Sequence, residues 1–208
     1  MKAAIVKSPG LATRLRHMAC GWGGVWLVYC LCWVLAGPAQ ILHETFVDQW
    51  LPFTASATWV YLSFVLLVPW AYLACEERRL RWLVGSMLLS AAVSGLFFLL
   101  WPTTLIYPSV AGHSLAEEVW RFVAAVDSDR NCLPSLHASL TILSVVALLA
   151  RGRPIRNVLV IAWGIAVVFS IVLSRRHLAL DVGAGLLGGL LCGAVVAVVL
   201  PATRQGSG

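Results

Sequence analysis

Charged side chains are scarce in this chain. Only 12% of its 208 residues are Asp, Glu, Lys or Arg, whereas 60% are hydrophobic. A soluble domain of this length could not bury so much apolar surface, so the excess must be taken up by lipid. The composition therefore excludes an ordinary soluble protein and indicates an integral membrane protein.

A continuous basic surface and a set of loop cysteines are also missing. The net charge is +6, but the basic residues stand in short clusters between apolar runs, which argues against a nucleic-acid partner. Of the six cysteines, only Cys132 lies in a polar loop on the side of the membrane opposite the termini, and no loop cysteine is there to pair with it. We therefore expect no disulfide framework.

Six apolar runs follow one another, each close to the roughly 20 residues that a helix needs to cross the hydrocarbon layer. They predict an all-α polytopic membrane protein, a six-transmembrane-helix bundle in one domain over residues 1–208. The last run is rich in glycine, which is typical of close helix packing. The predicted spans are residues 18–37, 57–75, 82–101, 133–150, 158–173 and 182–200.

The distribution of Lys and Arg predicts the orientation of these spans. Eleven basic residues lie on the side that holds both termini, against four on the other side. Because cytoplasmic loops carry the excess of basic residues, both termini are expected in the cytoplasm of a multi-pass cell-membrane protein. The oligomeric state is left open. The four basic residues on the extracytoplasmic side are Arg121, Arg130, Arg175 and Arg176.

A first polar cluster, Asn131-Cys132-Leu133-Pro134-Ser135-Leu136-His137, stands where an extracytoplasmic loop meets the fourth span. Pro134 suits a first helical turn, where its missing N–H costs nothing. The free N–H groups of such a turn, together with the Ser135 hydroxyl, would bind an anion. The cluster thus predicts Ser135 as a phosphate-binding residue next to His137.

A second cluster, Ser174-Arg175-Arg176-His177-Leu178-Ala179-Leu180-Asp181, leads into the sixth span. If the helix has begun by His177, the i, i+4 spacing places His177 and Asp181 on one face. The carboxylate could then hold one imidazole N–H and leave the other ring nitrogen as a lone pair. Arg175 and Arg176 would attract phosphate, since guanidinium groups match phosphate oxygens.

Both clusters resemble motifs of one family. Pro134-Ser135-Leu136-His137-Ala138 resembles the Pro-Ser-x-His block of the type 2 phosphatidic acid phosphatase superfamily, and His177-x-x-x-Asp181 after Ser174-Arg175 resembles its last block. The full sequence patterns are most similar to those of the branch that includes inositol phosphorylceramide synthases. They are Asn-x-x-Pro-Ser-Leu-His-Ala and Arg-His-x-x-x-Asp-Val-x-Ala-Gly. The resemblance covers mainly the second half of the chain.

The resemblance implies a membrane lipid phosphatase or phosphotransferase that takes a lipid phosphate ester from the outer leaflet and needs no metal or cofactor. By the same resemblance His177 attacks phosphorus, Asp181 orients it, and His137 protonates the leaving alkoxide and later activates water or an alcohol. An imidazole with a pKa of about 6.5 can act as acid or base near neutral pH. A phosphohistidine intermediate splits one difficult step into two.

The family's first block, a Lys followed by an Arg-Pro pair after the third span, has no counterpart here, because residues 101–109 contain no basic residue. Four arginines are candidates to bind phosphate in its place, and Arg175 is the first choice because it follows Ser174 as in the motif. The remaining candidates are Arg176, Arg130 and Arg121.

The loop segment 114–130 contains two of these arginines, and its pattern predicts an amphipathic helix. For Arg121 and Arg130, contact with solvent or headgroups is an equal alternative to phosphate binding. The acidic residues of the segment are expected to face solvent or headgroups: Glu117, Glu118, Asp127 and Asp129.

Two other functions stay open. Two histidines and one aspartate are also a ligand set for zinc or iron, which would make the protein a metal-dependent membrane hydrolase. The same arginines could instead bind an anionic lipid for transport without chemistry. The paired arginines argue against the metal site, because they would repel a divalent cation. The ionisable groups gather at one face of the membrane rather than at its midplane, which argues against a transporter.

Overall fold

The structure is a computed structural model that describes residues 10–200. It is helical apart from two short strands. In chain order the elements are α1 (Leu11–Leu35), β1 (Gln40–Ile41), α2 (Phe46–Trp50), α3 (Ala57–Leu62), α4 (Phe64–Ala74), α5 (Glu77–Leu100), β2 (Thr103–Thr104), α6 (Leu115–Val126), α7 (Leu136–Leu148), α8 (Pro154–Leu173) and α9 (Ala179–Val199).

Within the described residues, five helical segments are long and apolar enough to cross a membrane. They are α1, the continuous pair α3 and α4, α5, α8 and α9. A helix of about 20 residues spans about 30 Å, which is the thickness of the hydrocarbon layer. The prediction of a polytopic all-α membrane protein is therefore confirmed, and the predicted fifth span is longer than expected because α8 begins at Pro154.

The predicted fourth span, residues 133–150, corresponds to the shorter helix α7. With 13 residues, α7 is about 20 Å long and falls short of the hydrocarbon thickness. It packs against α4, α5, α8 and α9, and most of its side chains are buried. Because α7 is surrounded by protein at the centre of the bundle, its environment does not require the length of a lipid-facing span.

Glycines on one face of α9 allow it to approach α7 closely. A Cβ added at Gly185 would lie 2.2 Å from the carbonyl oxygen of Ser135, and one at Gly189 would lie 2.9 Å from that of Ser139. The Ser139 hydroxyl also donates a hydrogen bond of 2.7 Å to the Gly185 carbonyl. The close packing expected from the glycine-rich helix is confirmed, and it brings together the first turns of α7 and α9.

The loops at this end of the bundle form a small cap. Strand β1 pairs in parallel with β2, which the all-α prediction missed. The amphipathic helix predicted within residues 114–130 is confirmed as α6, with Ser114 as its N-cap. Trp120 of α6 is buried, and its indole N–H donates to the Ser174 carbonyl at 2.6 Å. This bond ties α6 to the connection between α8 and α9.

A methyl group added to α9 should be harmful at Gly185 and harmless at Gly188, where nothing lies within 4 Å of the added Cβ. Ala favours a helix over Gly by about 1 kcal/mol, whereas overpacking costs about 1–3 kcal/mol. We therefore expect Gly185→Ala to lower the thermal unfolding midpoint in detergent, and Gly188→Ala to keep or raise it. Equal midpoints for the two variants would contradict this packing.

Candidate active site

The two histidines of the separate sequence clusters lie side by side. His137 is the second residue of α7, and His177 stands in the connection between α8 and α9. Nδ1 of His137 is 3.3 Å from Nε2 of His177. His177 is buried and His137 is partly exposed. The structure therefore brings together the two histidines to which the motif resemblance assigns roles in one reaction.

Asp181 approaches the other nitrogen of His177, with its Oδ2 atom 3.5 Å from His177 Nδ1. Because α9 begins only at Ala179, the condition that the helix has begun by His177 is not met. Asp181 instead lies in the first turn, where Oδ2 accepts a hydrogen bond from the N–H of Leu178 at 3.0 Å. The separation of 3.5 Å is long for a hydrogen bond, and such contacts often shorten when substrate binds.

Arg176 has the contacts expected of a phosphate ligand. Its side chain is 1% exposed, and Nη2 lies 3.0 Å from Oδ2 of Asp127. Burial disfavours the guanidinium charge, but Asp127 holds the pKa of Arg176 above its ordinary value. Nε and Nη1 have no hydrogen-bond partner among residues 10–200. Because unpaired buried donors are costly, a bound oxyanion would be stabilised here.

Arg175, the first choice from the sequence, makes its bonds elsewhere. Its Nη2 donates to the carbonyl oxygens of Asp48 at 2.7 Å and Leu51 at 3.0 Å, and its Nε lies 3.2 Å from a carboxylate oxygen of Glu44. Arg175 also adopts a left-handed φ of 51°, which turns the chain after α8. These contacts correct the expectation, since they support a role in anchoring α2 rather than in binding phosphate.

Asp48 completes this anchor and was not recognised from the sequence. It is fully buried, and its Oδ1 accepts a hydrogen bond of 2.8 Å from the N–H of Ala179. A carboxylate at a helix N-terminus satisfies a free donor and opposes the positive end of the helix dipole. The Asp48 side chain therefore fixes the start of α9, and with it the position of Asp181.

The two arginines of the α6 region are also directed away from the histidines. Arg121 donates to the Gly112 carbonyl at 2.8 Å and to Glu118 at 2.5 Å. Arg130 donates to the Ala36 carbonyl at 3.2 Å. These contacts hold both side chains on loop carbonyl groups and on Glu118, and they do not support phosphate binding; the alternative of contact with solvent or headgroups stays a prediction.

Ser135 serves the packing of the site. It is fully buried as the N-cap of α7, where its hydroxyl accepts from the N–H of Ala138 at 3.3 Å. Its own N–H donates to the Asp181 carbonyl at 3.0 Å, so it is not free for an anion. Pro134 precedes this N-cap and is not in the first helical turn as predicted. Ser135 thus joins the starts of α7 and α9.

Asp127, expected to face solvent, lies within the site, and that expectation is wrong. Its side chain is only 12% exposed. The hydroxyl of Tyr29 donates to Oδ1, and that of Tyr61 donates to Oδ2 at 3.2 Å. Burial alone would raise the pKa of Asp127, but the charges of His137 and Arg176 lower it to about 2. Asp127 is therefore an ionised partner of Arg176.

Within the described part of the chain, one group of side chains could hold a metal ion. Ligand atoms of Cys132, His177 and Asp181 lie within 4.8 Å of one another. This set differs from the one considered from the sequence, because a thiol replaces His137. Burial raises the pKa of Cys132 to about 12, so a metal would have to displace its proton. The charge of Arg176 would oppose a cation at the same place.

A largely apolar cavity of about 240 Å³ reaches His137 but is not lined by His177 or Arg176. It lies between α1, α3, α4, α6 and α7, and the polar side chains in its lining include those of His137, Asp127, Tyr29 and Tyr61. Trp26 and Val65 line it and are also exposed, by 64% and 49%, on the surface of the bundle. The cavity therefore connects the exposed surface of the bundle with His137.

No protein-family profile matches the chain, and no curated protein or solved structure matches it. The interpretation of the site therefore rests on its geometry and on the motif resemblance of its two histidine clusters.

The neighbouring arginines provide a matched test of the anion site. Orthovanadate, a phosphate mimic, should raise the thermal midpoint of the wild type as its concentration rises, because a ligand that binds only the folded state stabilises it. Arg176→Gln should lose this response. Arg175→Gln should start from a lower midpoint, because the anchor to α2 is gone, and still respond. A normal vanadate response in Arg176→Gln would contradict the assignment.

Proposed function

We propose that the protein is a membrane lipid phosphatase or phosphotransferase that works through a phosphohistidine at His177, as in the type 2 phosphatidic acid phosphatase superfamily and nearest to its inositol phosphorylceramide synthase branch. One observation carries the proposal: two imidazoles face each other at 3.3 Å, beside the buried Arg176, whose Nε and Nη1 have no hydrogen-bond partner among the described residues. Two nitrogen bases with an anion ligand suit transfer of a phosphoryl or phospho-headgroup.

In the first step, Nε2 of His177 attacks phosphorus while Asp181 holds Nδ1–H on the other side of the ring. The new N–P bond replaces the P–O bond to the leaving group. His137 donates its Nδ1 proton to the leaving oxygen, and Arg176 binds the non-bridging oxygens, where negative charge is concentrated.

In the second step, His137 removes a proton from water or from a lipid alcohol, whose oxygen attacks phosphorus and releases His177. Hydrolysis and transfer share the same intermediate and differ only in the acceptor. Proton transfer by a positioned side chain contributes about 10²–10⁴-fold to such a step.

The cavity supports a substrate with a hydrocarbon chain. Its lining is largely apolar and also includes His137, so a lipid could place its chain among Trp22, Phe64 and Leu140 with its phosphate near His137. Burial of each methylene group would contribute about 0.8 kcal/mol. The excess of basic residues at the opposite end of the bundle supports an extracytoplasmic site facing the outer leaflet.

A metal-dependent hydrolase is the second candidate, favoured by the proximity of Cys132, His177 and Asp181. It makes opposite predictions: a chelator should remove activity, and Cys132→Ser should be inactive. A phosphohistidine enzyme should keep its activity in chelator. A transporter that binds anionic lipid without chemistry predicts no phosphate release and no labelled protein.

The phosphoenzyme should be detectable with a lipid substrate whose phosphate is radiolabelled. His177→Asn should take up no label and lose activity on the order of 10³-fold or more, because the nucleophile is gone. His137→Asn should keep label on His177, because breakdown of the intermediate then lacks its base. The measurement is acid-labile, alkali-stable label on the protein after a rapid quench.

For this comparison the lipid carries an aryl leaving group, which departs without an acid, so that His137→Asn can still be labelled. His113→Asn is the control, since His113 lies far out on the exposed surface. Label in His177→Asn equal to that in the wild type would contradict the assignment of the nucleophile.

Filling the cavity should affect lipid substrates selectively. Val65→Trp introduces a large side chain at the outer edge of the cavity, whereas Leu66→Trp places it on the neighbouring exposed position outside the lining. We expect Val65→Trp to raise KM for a long-chain phosphate about tenfold or more and to leave a short-chain phosphate unaffected, since each excluded methylene loses about 0.8 kcal/mol. Equal effects of both variants would contradict this position of the chain.

A further inference from the structure

Tyr61 connects the acid–base histidine to Asp127. Its hydroxyl lies 2.9 Å from His137 Nε2 and 3.2 Å from Asp127 Oδ2. Tyr61 belongs to α3 and is 5% exposed, so the contact is made inside the protein. Three separate elements, α3, the end of α6 and the start of α7, therefore meet in one line of polar atoms.

The donor and acceptor roles along this line follow from the carboxylate. An ionised Asp127 only accepts hydrogen bonds, so Tyr61 must donate its single proton to Oδ2. The Tyr61 oxygen is then left to accept from His137, which places a proton on Nε2 of the neutral imidazole. The lone pair of His137 consequently lies on Nδ1, which points at Nε2 of His177.

We propose that Tyr61 and Asp127 form a positioning relay that keeps Nδ1 of His137 directed at the reacting phosphate and stabilises the protonated imidazole through the Asp127 carboxylate. This inference rests on the proposed function and assigns roles to two residues outside the resembling motifs. His137 enters the first step protonated on both nitrogens and gives up its Nδ1 proton, which leaves the neutral form with its proton on Nε2, and in the second step it recovers a proton on Nδ1. The Nε2 proton stays bonded to Tyr61 throughout.

Asp127 also fixes the relay relative to the phosphate ligand. The same Oδ2 atom that accepts from Tyr61 accepts from Nη2 of Arg176 at 3.0 Å. A displacement of Arg176 would thus disturb the hydrogen bond to Tyr61. The proton donor and the anion ligand are held in one geometry by one carboxylate.

Tyr29 offers a matched control, because its hydroxyl donates to the other oxygen of Asp127. The centres of the Tyr29 and His137 rings are 6.5 Å apart in an edge-to-face arrangement, but the described residues show no hydrogen bond between the two side chains. Removing the Tyr29 hydroxyl takes one hydrogen bond from Asp127 Oδ1 and leaves the hydrogen bonds of Tyr61 to Asp127 Oδ2 and to His137 in place. Removing the Tyr61 hydroxyl breaks the relay itself.

The first measurement is nitrogen NMR of isotope-labelled histidine in detergent at alkaline pH, with the His137 signal identified by its loss in His137→Asn. The wild type and Tyr29→Phe should show the proton of His137 on Nε2. Tyr61→Phe should show it redistributed between the two nitrogens. A proton on Nδ1 in the wild type, or an unchanged tautomer in Tyr61→Phe, would overturn the relay.

The second measurement compares phosphoenzyme formation from alkyl and aryl lipid phosphates, because only the alkyl leaving group needs the acid. Tyr61→Phe should raise the aryl-to-alkyl rate ratio about tenfold or more, and Asp127→Asn should do the same. Tyr29→Phe should leave the ratio at the wild-type value whatever its effect on either rate. If Tyr61→Phe lowers the rate of phosphoenzyme formation equally for both substrates, Tyr61 has only a structural role and the relay is wrong.

The two measurements separate the relay from the function on which it rests. If the wild type forms no phosphoenzyme with either substrate, the proposed function is wrong, whereas the NMR result still decides whether Tyr61 fixes the tautomer. If the phosphoenzyme forms and the NMR spectra of Tyr61→Phe and the wild type agree, the relay alone is wrong.

Discussion

The site depends on the close approach of α7 and α9. Gly185 lies so near the Ser135 carbonyl that no side chain fits between the helices, and Ser135 in turn donates its N–H to the Asp181 carbonyl. These contacts fix the two helix starts against each other. Because His137 and His177 stand at those starts, the backbone packing sets the distance between their rings. The chemistry we propose requires both rings at one site, with the phosphate entering between Nε2 of His177 and Nδ1 of His137.

Asp127 supplies a second constraint on the site. A buried ion pair costs several kcal/mol of desolvation for each ion, and good geometry with further hydrogen bonds is needed to offset it. Arg176 and Asp127 have that geometry, with two tyrosine hydroxyls on the carboxylate. Among residues 10–200 the pairing leaves Nε and Nη1 of the guanidinium without a hydrogen-bond partner, although its Cζ lies 5.1 Å from the centre of the Tyr107 ring, and unpaired buried donors do not favour stability. This arrangement is understandable if an anionic substrate completes the cluster.

Much of the fold follows from local patterns in the sequence. Apolar runs predict the long helices, and the amphipathic pattern of residues 114–130 predicts α6, because both signals depend only on residues near each other. The length of α7 does not follow from local patterns, since it reflects burial among four other helices. The observed starts of α7 and α9 also differ from the predicted ones, because hydrogen bonds to the Ser135 and Asp181 side chains decide where the first backbone N–H groups are satisfied.

The residues that surround the histidines were harder to predict from the sequence than the fold. His137, His177 and Asp181 carry recognisable spacing, but Arg175 and Arg176 are adjacent, and only tertiary contacts separate an anchor from an anion ligand. Asp127 and Asp129 are equally indistinguishable in the chain. The partners that give Asp127 its role, Tyr29 and Tyr61, belong to other helices far away in sequence.

A structure of the protein with bound vanadate would test the central claim most directly. The account predicts vanadium bonded to Nε2 of His177, with oxygens on the free guanidinium nitrogens of Arg176 and the leaving-group oxygen facing Nδ1 of His137. Vanadate bound away from His177, or a metal ion coordinated by Cys132, His177 and Asp181 in its place, would contradict it.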